Sequence, residues 1–272
     1  MTDPSSHPIG LIAGSGTLPQ YFVQEAKNQG HRILVVALAE EAPAGLDSVA
    51  DKVVRLSIGQ AGKIIKTLKD FGVQEVTWVG KIHKNLLFKN LRFDAQALKF
   101  LGTLREKDDL AMIRRAVKIF EEEGFKVFEP TRFLKNQMVP PGLAGGVAAA
   151  EKVEQDLHFA FEVAKKVAAL NIGQTVMVKE GVILAVEAQE GTDEVIRRGT
   201  ALGGKGTVMA KVSWPQRRFV LEIPTVGRKT LELLAEGKAA GLAIEAHKTL
   251  LLEREEALKI ARAAKIAVMA LE

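Results

Sequence analysis

Apolar positions along this chain fall into short continuous runs separated by amphipathic stretches. Ile9-Gly-Leu-Ile-Ala13 and Ile33–Leu38 are apolar from end to end, the pattern of strands buried on both faces. Lys52–Ile58, Glu75–Val79 and Phe125–Phe128 read as further strands. Between them lie helical stretches, one running from the Gly14–Pro19 turn to about Gln29 and another over Ala61–Phe71. Thr103-Leu-Arg-Glu106 has the form of a capping box, and Leu110, Ile113, Val117 and Phe120 follow at helical spacing. Strand and helix alternate, which predicts a parallel sheet with crossover helices, a Rossmann-like N-terminal domain over 1–140.

Gln137-Met-Val-Pro-Pro-Gly-Leu-Ala-Gly-Gly146 breaks the periodicity and reads as the boundary between domains. A long helix follows, with Val153, Leu157, Phe161, Ala164 and Ala168 at core spacing. Val178-Lys-Glu-Gly-Val-Ile-Leu-Ala-Val186 predicts two strands folded on a Glu180-Gly181 turn, then a loop and a helix from about Thr192. Gly206–Trp214 reads as a strand, Lys229–Lys238 as a helix, Leu242–Leu252 as one or two strands, Glu255–Lys265 as a helix and Ile266–Leu271 as a last strand. The second domain, 147–272, is therefore expected to be mixed α/β.

With 272 residues, 47% of them apolar, the chain is long enough for two cores. No apolar run reaches the length of a membrane span, and the polar start at Met1–Pro8 has no signal-peptide pattern, so a cytoplasmic protein is expected. The absence of cysteine excludes disulfides, thiol catalysis and cysteine-ligated metals. A net charge of +5 suits an anionic partner, but the basic residues are dispersed and aromatics make up 6%, so nucleic acid is not expected. Each histidine is isolated, which argues against a histidine metal site.

Three places carry candidate chemistry. Gly14-Ser-Gly-Thr17 joins a strand to a helix, where backbone N–H groups meet a phosphate, or where the chain simply turns. Pro19 stands where a dinucleotide fingerprint has its third glycine, and Glu40 stands where that fold places a ribose-binding acid. Lys81–Arg92 is basic and amphipathic, suited to an anionic membrane or, more simply, to a solvated helix; Lys81 and, further on, Asp109 are the binding candidates of this region. Glu187, Glu190, Thr192 and Asp193 crowd one loop, either as a site or as dipole complements and surface ion pairs. Glu222 sits in an apolar stretch just before Pro224-Thr225-Val-Gly227, where a carboxylate must be solvated, paired or bound to a cation.

Taken in order, these segments resemble the UDP-2,3-diacylglucosamine pyrophosphatase family of the LpxI type along nearly the whole chain. The carriers are Leu11-Ile-Ala-Gly-Ser-Gly-Thr-Leu-Pro19, Lys107-Asp-Asp-Leu110, Glu122-Glu-Gly-Phe125, Lys179-Glu-Gly-Val182, Ala185-Val-Glu-Ala188, Glu190-Gly-Thr-Asp193 and Glu245-Ala-His-Lys-Thr249. The resemblance implies a homodimer that cleaves UDP-2,3-diacylglucosamine to lipid X and UMP in lipid A synthesis. It further implies dependence on Mg²⁺ or another divalent cation, and action at the cytoplasmic side of the inner membrane. Where the family has Gln-Asp-x-Arg-Phe-Asp, this chain has Arg217-Arg-Phe-Val-Leu-Glu222, so Arg218, Val220 and Glu222 replace Asp, Arg and Asp.

On that basis Glu222, with Asp193 or Glu190, is expected to hold the cation or orient the attacking water. Thr192 at the helix start, Arg197, Arg198 and Thr225 are expected to steady the substrate, and Gly14, Ser15, Gly16 and Thr17 to receive its nucleotide part. Two alternatives remain open at this point. One is a catalytically weak paralogue that binds a nucleotide-lipid or nucleotide-sugar; the other is a nicotinamide-dependent oxidoreductase built on Gly14–Gly16 and Glu40.

Overall fold

The structure, a computed structural model, describes residues 7–80, 82, 92–102, 109–215 and 223–272, with backbone only at 100, 101 and 109–113. The chain divides into two compact units, one ending at Leu134 and the other beginning at Lys135.

The first unit runs β1 (Ile9–Ala13), α1 (Leu18–Asn28), β2 (Ile33–Leu38), β3 (Lys52–Leu56), α2 (Ala61–Asp70), β4 (Glu75–Val79), α3 (Ala95–Gly102), α4 (Asp109–Glu122), β5 (Lys126–Val127) and α5 (Thr131–Leu134). Its described strands form one sheet in the order β3-β2-β1-β4-β5, and every pairing is parallel. Every residue of β1 and β2 is buried, as their unbroken apolar runs require of central strands covered on both faces. The order reverses between β1 and β4, and at such a switch point α/β sheets place their ligands, just beyond the strand C-termini. Gly14-Ser-Gly16 lies there.

The second unit comprises β6 (Gly142–Gly146), α6 (Glu151–Ala169), β7 (Thr175–Lys179), β8 (Val182–Val186), α7 (Thr192–Gly203), β9 (Val208–Lys211), β10 (Thr225–Val226), α8 (Arg228–Glu236), β11 (Gly241–Glu245), β12 (Leu250–Leu251), α9 (Arg254–Ala263) and β13 (Ala267–Leu271). Its main sheet has the order β6-β13-β11-β9-β7-β8. β9, β11 and β13 are parallel, while β7 runs against β9 and β6 against β13. The unit is thus mixed α/β, as the sequence pattern implies.

Alternation along the strands sorts the side chains into two cores. Val176, Val178, Val208, Ala210 and Ala243 pack against Leu157, Phe161 and Ala164 of α6. Met177, Met209, Leu242 and Ile244 pack on the other face against Val195 and Ile196 of α7, Leu231 and Leu234 of α8 and Ala257 and Ala261 of α9.

The Pro- and Gly-rich boundary segment also contains a strand that the sequence pattern does not predict. Gly142–Gly146 is an edge strand, paired antiparallel with β13. Three glycines in five residues leave no apolar alternation to betray it. Among the described residues, no helix is long and apolar enough to cross a membrane.

Candidate functional site

The Glu180-Gly181 turn ties β7 to β8, and both residues take positive φ, +49° and +73°. Asp156 of α6 holds this turn, its two carboxylate oxygens accepting the Glu180 N–H at 2.7 Å and the Gly181 N–H at 2.8 Å. β8 then delivers the acidic loop to the N-terminus of α7.

In that loop each acid has its own partner. Glu187 accepts the Thr192 hydroxyl proton at 3.0 Å and the Gln174 N–H at 3.3 Å. Thr192 accepts in turn from the Lys211 ammonium at 2.8 Å, so its hydroxyl links a cation to a carboxylate. Glu190 accepts the Ala188 N–H at 3.1 Å and pairs with Arg198, which also donates to the Val186 carbonyl at 2.9 Å. Glu190's own backbone N–H, with those of its other partners, holds its carboxyl below the usual range against a smaller upward push from burial. Asp193, in the first turn of α7, pairs with Lys229 in the first turn of α8 at 2.5 Å. α7 starts from Gly191 with no side-chain cap, so its first N–H groups have no side chain closing over them.

Thr192 is therefore brought to Glu187 and Arg198 to Glu190, while Asp193 is brought to Lys229. Arg197 pairs with Glu194 on the exposed side of α7 instead, and the Thr225 hydroxyl donates to the Ile223 carbonyl at 3.0 Å. In the first unit Gly14 is buried, while Gly16 and Thr17 are exposed at the start of α1, whose first turn carries Pro19. Gly80 presses against this turn: a Cβ there would lie 2.6 Å from the Ser15 carbonyl oxygen. Glu40 accepts the Ile58 N–H at 3.3 Å, an internal use for the acid at the ribose-binding position. Lys81, most of Lys81–Arg92, the Thr103–Glu106 capping box and Arg217–Glu222 lie outside the described residues, as does the Asp109 side chain.

A second polar cluster escaped the sequence reading. Glu245, which closes β11 and is 2% exposed, accepts from Lys165 at 2.5 Å and Lys248 at 2.7 Å through one oxygen. Its other oxygen accepts the Ser213 N–H at 2.7 Å. Burial pushes the Glu245 carboxyl up, but the two ammonium groups and this N–H outweigh it and hold it below the usual range. Lys211, 9% exposed, closes the neighbouring β9 on the opposite face of the sheet. Both strands otherwise carry apolar residues and glycine, and a charge ending such a run was the available signal.

Among the described residues, no three His, Asp or Glu side chains converge as a metal cage. Mg²⁺ requires no such cage; it keeps several waters and takes one or two carboxylates plus substrate phosphate oxygens. Asp193, whose side chain is 39% exposed, suits that sparse kind of site.

Residues 8–137 match the LpxI N-terminal domain and residues 140–269 the LpxI C-terminal domain. The UDP-2,3-diacylglucosamine pyrophosphatase LpxI of Caulobacter vibrioides is 34% identical over 264 residues, covering 93% of this chain and 93% of that protein. Two solved structures are similar at lower identity. N5-carboxyaminoimidazole synthetase of Staphylococcus aureus has a TM-score of 0.28 at 15% identity, over 74% of this chain and 45% of its own. The Bordetella bronchiseptica enzyme WbmG in complex with NAD has a TM-score of 0.31 at 19% identity, over 47% and 39%. With both halves matched in order and a relative aligned nearly end to end, the chain belongs to the LpxI family.

Proposed function

We propose that this protein hydrolyses the diphosphate of UDP-2,3-diacylglucosamine to UMP and lipid X, a step of lipid A biosynthesis. The observation that carries this proposal is the alignment with the Caulobacter vibrioides pyrophosphatase across 93% of both chains. Hydrolysis adds one water across the P–O–P bridge. One P–O bond forms to the water oxygen, one P–O bond breaks, and each product keeps one phosphate.

The uncapped N–H groups at the start of α7 offer partial positive charge to a phosphate oxygen, beside the Thr192 hydroxyl. Lys211 and Arg198 add full charges around the same loop, and Glu190 fixes Arg198 in place. Asp193 and Glu222 are the carboxylates we assign to the divalent cation, whose contribution when bound is neutralising charge on the phosphate oxygens. Gly14–Thr17 would receive the nucleotide part through backbone N–H groups. The proposal includes a homodimer in the cytoplasm that meets its lipid substrate at the membrane surface.

The test is incubation with UDP-2,3-diacylglucosamine and Mg²⁺, following UMP and lipid X together. Equal release of both, abolished by EDTA and restored by Mg²⁺, is expected. Retained binding of the substrate with no UMP would refute hydrolysis and leave a binding paralogue.

A further inference from the structure

A buried carboxylate needs one cation, and Glu245 has two. Lys165 and Lys248 both donate to the same oxygen, at 2.5 and 2.7 Å, while the Ser213 N–H supports the other. The trio therefore carries one positive charge more than neutrality requires, and its two ammonium groups repel each other across a single oxygen. Exposure is graded in a telling direction: the Glu245 side chain is 3% exposed, Lys165 30% and Lys248 58%. The anion is sealed behind, and the cations stand in front of it. Lys165 is further fixed by the Phe161 ring, 5.8 Å from its ammonium, so part of the entropy cost of ordering a lysine is already met. A purely structural pair would be complete with Lys165 alone, because an exposed second lysine adds on the order of 1 kcal/mol or less. The cluster also lies at the C-terminal edge of parallel β9 and β11, the edge at which α/β sheets place ligands.

We propose that Lys165 and Lys248, presented by Glu245, form a binding subsite for a phosphate or diphosphate group. An anion shared by both ammonium groups would relieve their repulsion and take up the surplus charge. That the group is the substrate diphosphate rests on the activity proposed above; the anion subsite itself does not.

Isothermal titration of the whole protein with inorganic pyrophosphate at low salt tests this, using wild type, Lys165→Met, Lys248→Met and Glu245→Gln. Thermal unfolding of each variant checks that it is folded. Each lysine substitution should weaken binding about tenfold, the loss of one charge-assisted hydrogen bond. Glu245→Gln should tighten binding, because it frees both ammonium groups from their counter-charge. Lys248→Met leaves Glu245 paired with Lys165, so it keeps the test open should another variant fail to fold. Wild-type pyrophosphate affinity in the folded lysine variants, or no pyrophosphate binding by wild type, overturns the proposal. UMP release run alongside separates the two readings. Turnover with an unchanged KM in Lys248→Met and no lysine-dependent binding sinks the subsite and spares the activity; lysine-dependent binding without turnover does the reverse.

Discussion

Asp156 is the support most open to measurement, because a single carboxylate holds the turn from which the acidic loop hangs. It is 9% exposed on α6, and its two oxygens take the two N–H groups of the Glu180-Gly181 turn. Both turn residues occupy the left-handed region, which suits a tight hairpin but strains a residue such as Glu180. A hydrogen bond to a charged group contributes about 1.5–3 kcal/mol. Truncation of Asp156 to Ala removes two of them, yet both turn residues are exposed, so water takes over the freed N–H groups. The expected cost is therefore about 2–3 kcal/mol rather than twice the single value, with Asp156→Asn lying between Ala and wild type. In hydrogen exchange, the β7–β8 ladder amides should then open about 30- to 150-fold more often in Asp156→Ala. Amides of the first unit serve as the internal control, since each unit has its own core. Less than about a fivefold change in the ladder amides would refute the role given to Asp156.

Two further outcomes follow from side-chain surroundings. The Glu245 carboxyl titrates below its ordinary value in the folded protein, so the stability it confers is fully present above about pH 4.3 and is lost as pH falls through its lower folded pKa. Urea unfolding of the second unit between pH 7 and pH 3 should show that loss in wild type and a flatter profile in Glu245→Gln. Gly80→Ala should destabilise the first unit by about 2–4 kcal/mol, from a positive φ of +96° and a Cβ placed 2.6 Å from the Ser15 oxygen. Thermal unfolding checks it, and a loss under about 1 kcal/mol would contradict the packing.

What the sequence revealed of the fold, and what it concealed, divides along one physical line. Features set by neighbours in the chain were readable: β1 and β2 occupy the spans of their apolar runs, and the hairpin turns at Glu180-Gly181. Features set by distant partners were not. Glu245 draws on residues 80, 32 and 3 positions away, and no periodicity reports such a meeting. β6 was hidden for the related reason that the strand it pairs with, β13, lies at the far end of the chain. The acidic loop shows the same division within the candidate site. Its crowding was visible, but its partners were not: Glu187 is committed to Thr192 and Gln174, Glu190 to Arg198 and Asp193 to Lys229. Glu187 and Glu190, committed in this way, shape the loop, and Asp193 would exchange Lys229 for the divalent cation assigned to it above. Lys211 and Glu245 close adjacent strands of one sheet edge on opposite faces, so one edge carries both an ammonium linked through Thr192 to the acidic loop and a carboxylate that presents two more. A charge ending a buried parallel strand is costly unless it is paired there, and here each is paired, Glu245 with Lys165 and Lys248 and Lys211 with Thr192.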